Sequence, residues 1–380
     1  MKIAFVTTQS FQQSTLIGRV LPLAKEFAKE HTVTLLVHGE GDTPDVPSGI
    51  SSYVTGPNPF ARTTEGKKRK RGFSLIWTMK KNALRAAWRL IQEKPDCIII
   101  VKPLPENVLA VRLATLFLRR TKIILDVDDF ELMANTLSSL VQRAAIHWSE
   151  RVASHMAQHI IVATPFLEDH MKLLSQNTTP VTLIPTGLSL SSAPTYSSDP
   201  TILFAGSLSL SSGHRVDLLP EILSHVQKRV PHARLIISGS GDDEQSLRRE
   251  FQQQGLESSV KWTGRFSPTT IQDIATRASM LIDPIDSSIA NRAKSSFRVA
   301  LALSMGMPIV TSNVGIRTQL IPDQFHESWF AAPGDAQSYA EKIAAILTHP
   351  LSEHEKHLLQ QKSKQYEWDA LAKMYYACIV

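Results

Sequence analysis

The stretch Asp283–Val310, DPIDSSIANRAKSSFRVALALSMGMPIV, decides how the chain is read. Met280–Asp283 reads as the end of a buried strand. A polar loop follows, then apolar residues at helical spacing for about three turns, and Gly306-Met307-Pro308 leads into another strand. Lys294, Ser295 and Ser296 fall where that helix starts, and Arg298 falls in its first turn. A helix N-terminus presents unpaired backbone N–H groups and the positive end of the helix dipole. With Arg292 and Lys294 beside it, this is a candidate anion site. A serine cap on an ordinary helix reads the same way, and both readings stand at this point.

On either side of this stretch, strands alternate with helices. Ile3–Val6 is a strand, Leu16–Phe27 carries apolar residues at helical spacing, and Val33–Val37 is the next strand. Ile50–Val54 reads as a short strand, and Cys97–Val101, Lys122–Leu125, His159–Ala163 and Val181–Ile184 as others, with helices over 107–118 and 136–157. Leu188–Pro200 (LSLSSAPTYSSDP) has the composition of a linker. A second alternating unit follows, with strands at Ile202–Ala205, Arg234–Ser238, Val260–Thr263 and Ile309–Thr311. Such alternation implies parallel sheets covered by helices, an α/β protein of two Rossmann-like, doubly wound domains. The expected division is 1–190, a linker at 191–200, a second domain at 201–360, and a C-terminal helix at 361–380 that packs back on the first. Gly18 and the loop before it lie at the carboxyl end of the first strand, where open sheets bind ligands. Gly206, Gly239, Gly241 and Gly264 stand at strand ends, where backbone can approach a ligand closely. No GxGxxG occurs, so a dinucleotide fingerprint is absent.

Composition bounds the rest. A length of 380 residues suggests two cores of ordinary size, and 43% hydrophobic with 20% charged residues describes a soluble globular protein. The two cysteines, Cys97 and Cys378, lack metal-ligand spacing, which argues against a disulfide scaffold or zinc site and fits a reducing, cytoplasmic compartment. The apolar run after Met1-Lys2 is too short for a signal peptide, and none approaches the roughly 18 residues of a membrane span. The formal charge of +6 is uneven: residues 1–190 carry 23 Lys and Arg against 16 Asp and Glu. The excess concentrates in Lys67-Lys68-Arg69-Lys70-Arg71 and the segment to Arg89, where Phe73, Trp77 and Trp88 interleave with Lys80, Lys81 and Arg85. That pattern suits an anionic membrane surface, peripheral on the inner face of the plasma membrane. It equally suits a solvated loop and a helix whose aromatics face the core. No recognised nucleic-acid-binding module surrounds the run, and no nucleic-acid partner is expected.

The pieces Ile202–Gly206 with Arg215–Leu219, Leu235–Gly241, Val260–Gly264 and Leu303–Val310, in this order, resemble glycosyltransferase family 4 of the GT-B fold. His159–Ala163 and Ile184–Gly187 resemble the end of that family's acceptor half. The resemblance implies two domains facing each other across a cleft. It implies transfer of a sugar, with retention, from a nucleotide diphosphate-sugar to a saccharide or lipid-linked acceptor, without metal or other cofactor. It places the donor diphosphate at Gly206, Ser207, Arg215, Lys294, Ser295, Ser296 and Arg298, and the base at Gly239, Gly264, Arg265 and Phe266. The loop with Gly18 and Arg19 falls on the acceptor side.

The chain also departs from the family. The usual Glu-x7-Glu positions fall at Ala293 and Leu301, and no carboxylate lies between Asp286 and Asp323. Asp286 and Asn291 are the candidates for sugar contact in their place. Asp126-Val127-Asp128-Asp129 stands where the family often carries a histidine near the reacting centre. Asp128 and Asp129 are therefore candidate catalytic or acceptor-binding residues, against a structural turn capping the next helix. Two other readings remain: a non-catalytic sugar-nucleotide-binding module of this fold, and a sugar-nucleotide epimerase.

Overall fold

Runs of buried aliphatic residues build two parallel sheets. The computed structural model describes residues 1–11, 13–39, 46–58, 72–134, 139–188, 196–267 and 270–380. The chain forms two compact units, Met1–Pro185 with Trp368–Val380, and Thr186–Glu367. The run Lys67–Arg71 and residues 191–195 of the expected linker lie outside the described residues.

In the first unit the strands are β1 (Lys2–Val6), β2 (Thr32–His38), β3 (Ile50–Gly56), β4 (Cys97–Val101), β5 (Lys122–Val127), β6 (His159–Val162) and β7 (Val181–Leu183). Between them run α1 (Leu21–Phe27), α2 (Gly72–Glu93), α3 (Pro105–Thr115), α4 (Glu131–Ala134), α5 (Leu140–Met156) and α6 (Pro165–Leu174). The sheet order is β3-β2-β1-β4-β5-β6-β7, every pair parallel. All five residues of β4, CIIIV, are buried, as a strand covered on both faces requires. The helix expected over 136–157 begins at Leu140, because the Ser139 hydroxyl accepts from the Gln142 N–H and caps it there. The helix expected over 107–118 starts two residues earlier, with Pro105 in its first turn.

The second unit holds β8 (Thr201–Ala205), β9 (Arg234–Ser238), β10 (Val260–Gly264), β11 (Met280–Ile282), β12 (Ile309–Ser312) and β13 (Phe330–Ala331). Its helices are α7 (Leu219–Gln227), α8 (Glu244–Gln253), α9 (Thr270–Ala275), α10 (Ile289–Ala293), α11 (Phe297–Met305), α12 (Arg317–Leu320), α13 (His326–Trp329), α14 (Ala336–Thr348) and α15 (Glu353–Lys364). The order is β10-β9-β8-β11-β12-β13, again parallel throughout. The polar loop of the central stretch holds a short helix of its own, α10. Ser288 caps it by accepting from the Asn291 N–H, and Ser296 caps α11 by accepting from the Val299 N–H. Lys294 is extended between them, at φ −95° and ψ 137°.

The last helix, α16 (Trp368–Ile379), returns to the first unit. Trp368, Leu371, Tyr375 and Ile379 share one core with Leu23 and Phe27 of α1, and the helix lies against α1, β5 and β6.

Candidate functional site

Both sheets reverse their winding beside their first strand, β1 against β4 and β8 against β11. The crevice outside the carboxyl ends at such a switch point is where open parallel sheets bind ligands. In the second unit those ends are Gly206, after β8, and Asp283, after β11.

Asp283 is fully buried and ties the site together. Its carboxylate accepts from Arg298 Nε at 2.7 Å and Arg317 Nε at 2.7 Å, and also from Arg298 Nη2. The hydroxyls of Ser296 and Thr311 donate to it at 3.0 and 3.1 Å. Burial alone would raise the carboxyl; the Arg298 and Arg317 guanidiniums more than offset that and hold it well below the usual carboxylate range. Arg298 also donates to the Ala205 carbonyl at 2.9 Å and to His214 Nδ1 at 2.8 Å. Since arginine only donates, His214 Nδ1 is an acceptor and the ring is neutral. Burial, with the Arg298 charge behind it, pushes the imidazole well below its ordinary value.

The loop after β8 is fastened to the loop after β11 along its length. The Arg215 N–H donates to the Pro284 carbonyl at 3.0 Å, and Asn291 Nδ2 to the Gly213 carbonyl at 2.8 Å. Lys294 Nζ donates to the Ser212 carbonyl at 2.6 Å. Arg215 pairs with Asp217 (Nη2 to Oδ2 2.7 Å) and lies 4.0 Å from Asp286, whose carboxylate accepts from the Ser288 N–H and Asn291 Nδ2. Thus Gly206, Ser207, Arg215, Asp286, Asn291, Lys294, Ser295, Ser296 and Arg298 belong to one constellation. Within it Arg298, Asn291 and Ser296 are buried, while Ser207, Lys294 and Ser295 are half-buried and Arg215 partly exposed. The Arg298 guanidinium is spent on Asp283, Ala205 and His214, so its place is beneath the loop rather than on its surface. The Ser295 hydroxyl accepts from the Thr186 N–H at 3.1 Å. Ala293 and Leu301, where the resemblance puts the acidic pair, are fully buried and fill the core.

The glycines act first on one another. A Cβ on Gly239 would stand 1.8 Å from the Gly206 carbonyl oxygen, and one on Gly206 2.4 Å from Arg298 Nη1. Gly264 has open space around it but a φ of +72°. The Gly239 N–H donates to the Gly264 carbonyl at 2.7 Å, Arg265 Nε to the Ser240 hydroxyl at 2.7 Å, and Phe266 stacks on Phe297 at 6.1 Å. Gly239, Gly264, Arg265 and Phe266 are therefore neighbours.

In the first unit the carboxyl ends of β4 and β5 carry a second charged cluster. Lys102 Nζ lies 3.2 Å from Asp128 Oδ1, 3.4 Å from Asp129 Oδ2 and 3.1 Å from Glu131 Oε1. Asp128 Oδ2 accepts from the Thr15 hydroxyl at 3.0 Å. Burial alone would lower the Lys102 ammonium; Asp128, Glu131 and Asp129 together hold it well above the usual lysine value. Burial would raise Asp128; the Lys102 and Arg19 charges lower it instead. Arg19 is buried, donating to Asp126 Oδ1 at 2.7 Å and to the Ile184 carbonyl at 3.2 Å, while Tyr375 donates to the same Asp126 oxygen at 3.1 Å. Gly18, half-buried, meets no heavy atom within 4 Å of a built Cβ. Lys102, Asp283, His214 and Arg317 are the site residues that sequence reasoning passed over or left unassigned. Their one sequence signal is position directly after an apolar strand, which Lys102 and Asp283 share. Among the described residues no three His, Cys, Asp or Glu side chains are grouped to hold a metal ion.

Two parallel, doubly wound domains, each with a switch point beside its first strand, are the architecture of the GT-B fold. The family follows from the sequence. A model of glycosyl transferases group 1 matches residues 199–349, and a glycosyl transferase 4-like domain model matches residues 18–187; the chain belongs to these glycosyltransferases and resembles family 4. No curated protein sequence matches it. Among solved structures it is similar to sucrose-phosphate synthase from Thermosynechococcus elongatus, at 16% identity and a TM-score of 0.76, covering 99% of this chain and 98% of that one. It is similar to TarM at 10% identity and a TM-score of 0.75, covering 100% and 98%. It is also similar to Anabaena HepE in complex with UDP, at 12% identity and a TM-score of 0.71, covering 99% of each chain. At these identities the likeness shows the fold.

Proposed function

We propose that the chain is a hexosyltransferase, moving a sugar from a nucleoside diphosphate-sugar to a saccharide or lipid-linked acceptor with retention at the anomeric carbon. The observation that carries this reading is the loop clamp of the second unit, which fixes Lys294 at the switch point beside the N-terminus of α11. The similar HepE structure holds UDP, which supports a diphosphate donor here. As the bond from C1 to the phosphate oxygen breaks, the leaving diphosphate gains charge. Lys294 and Arg215, backed by the N–H groups of α11, stabilise that charge more in the transition state than in the ground state. The acceptor hydroxyl oxygen forms the new bond to C1 on the same face, and its proton passes to the departing phosphate oxygen. Asp128 and Asp129, held by Lys102, orient the acceptor. No metal or other cofactor is assigned a step. The same reading places the protein in the cytoplasm, peripherally on the inner face of the plasma membrane.

A second reading has a specific observation in its favour. Ala293 and Leu301 are sealed in the core, so a module that binds the nucleotide and no longer turns it over fits equally at those two positions. Calorimetry against UDP, GDP and ADP and their sugars, followed by a donor-turnover assay with saccharide and lipid acceptors, separates the two. Binding with product of retained anomeric configuration supports transfer. Binding without turnover selects the second reading, and no binding of any nucleotide removes both.

A further inference from the structure

Helix α2 presents an unusual face. Its inward side is made largely of small residues, with Ala83, Ala86 and Ala87 buried beside Leu75 and Leu90, and it packs on α3 and β3. Its large side chains point the other way: Phe73 is 80% exposed, Trp77 53%, Leu84 58% and Trp88 63%. At about 100° per residue, these four fall within roughly 60° of arc, one stripe along a helix of about 33 Å. Lys80 borders the stripe on one side, Lys81 and Arg85 on the other, and all three are exposed. Lys81 Nζ sits 5.2 Å from the Trp77 ring, and Phe73 stacks on Trp77 at 6.5 Å. From Gly72 to Gln92 the helix contains no carboxylate, and Glu93 at its end is paired with Arg89.

We propose that this face docks on an anionic phospholipid bilayer, lying in the interface with Phe73, Trp77, Leu84 and Trp88 among the acyl chains and Lys80, Lys81 and Arg85 at the headgroups. Two features select this occupant. Aromatic rings mixed with aliphatic side chains on a cationic stripe match the polarity gradient of a headgroup layer, where an apolar body meets a charged plane. A second copy of the chain, meeting the same stripe across a two-fold axis, would set these cations against themselves. Nucleic acid would satisfy the cations but leave Leu84 and Ile76 without an apolar partner. The inference stands on α2 itself and gives the lipid-side location of the proposed function a defined surface.

The test is co-sedimentation of the full chain with equimolar phosphatidylcholine–phosphatidylglycerol vesicles and with pure phosphatidylcholine vesicles. Partition onto the anionic vesicles is expected to be about tenfold or more tighter and to be lost at high salt. Bilayers with brominated acyl chains are expected to quench the tryptophan fluorescence. F73S/W77S/W88S and K80Q/K81Q/R85Q each replace exposed side chains; each is expected to lower partition about tenfold or more with an unchanged thermal midpoint. Equal partition onto both vesicles, none onto either, or wild-type partition by both variants would overturn the proposal. So would a dimer in light scattering that F73S/W77S/W88S dissolves, or tighter binding to an oligonucleotide than to vesicles. UDP and GDP titrations of the same sample show separately whether the donor reading has failed.

Discussion

Lys294 occupies the extended residue between two capped helices, its ammonium on the Ser212 carbonyl. A bound diphosphate would exchange that neutral acceptor for charged oxygens, so Lys294→Ala is expected to weaken nucleoside diphosphate binding by about 1.5–3 kcal/mol. Calorimetry on the folded variant checks it, and undiminished affinity would remove Lys294 from the site. Asp283 has a different kind of importance. Asp283→Asn leaves Arg298 and Arg317 buried without a counter-charge, and a loss of about 3–5 kcal/mol in the second unit is expected. Because the folded state depresses this carboxyl, its contribution is complete above the unfolded value near 4 and drains as pH falls below it. Urea unfolding at neutral pH and at roughly pH 3 should therefore show the gap between wild type and variant narrowing on acidification. A gap that widens would contradict the assignment. The Ser296 cap was legible in the sequence because serines directly before an apolar helical run announce one. Arg317 was not, because its partner lies 34 positions away and no local pattern joins them.

At the scale of elements, the strand-end loops separate two ways in which a glycine is needed. Gly239 is needed for space as well as for its φ of +146°, and Gly239→Ala is expected to cost the second unit about 2–4 kcal/mol because the Gly206 backbone must move. Gly264 is needed for its φ of +72° alone, so Gly264→Ala should cost about 1 kcal/mol. Denaturant midpoints of the two variants decide this, and equal losses would refute the distinction. At the end of β5, the cluster around Lys102 carries a kinetic expectation. Asp128→Asn should reduce transfer turnover more than donor affinity, whereas equal loss in both would mark a structural turn. The parallel strands were legible because each is an apolar run bounded by turn residues. The facing of α2 was not: its alanines, rather than its aromatics, face the protein, and periodicity alone cannot say which of two apolar stripes is covered.

At the scale of the whole molecule, the sequence shows two alternating units and a final helix, but not where the last core contact is made. That contact is Tyr375, whose hydroxyl meets Asp126 two residues before the acidic turn. A chain ending at Glu367 is expected to keep the cooperative unfolding of its second unit. Its first unit should lose protection in β5 and β6, the strands α16 lies against, which amide hydrogen exchange resolves strand by strand. Unchanged protection there would show that α16 is dispensable.

The return of α16 also sets an order in time. Residues 368–380 leave the ribosome only after the whole of Thr186–Glu367 has been synthesised. The half of the protein translated first is therefore the half completed last. During synthesis the second unit can close its own sheet, while Ile124 of β5 and Ile161 of β6 wait for a cover encoded more than two hundred residues downstream. A pause or premature stop just before Trp368 would release a molecule with a finished second unit and an uncovered β5–β6 surface, the kind of species that chaperones hold and proteases clear.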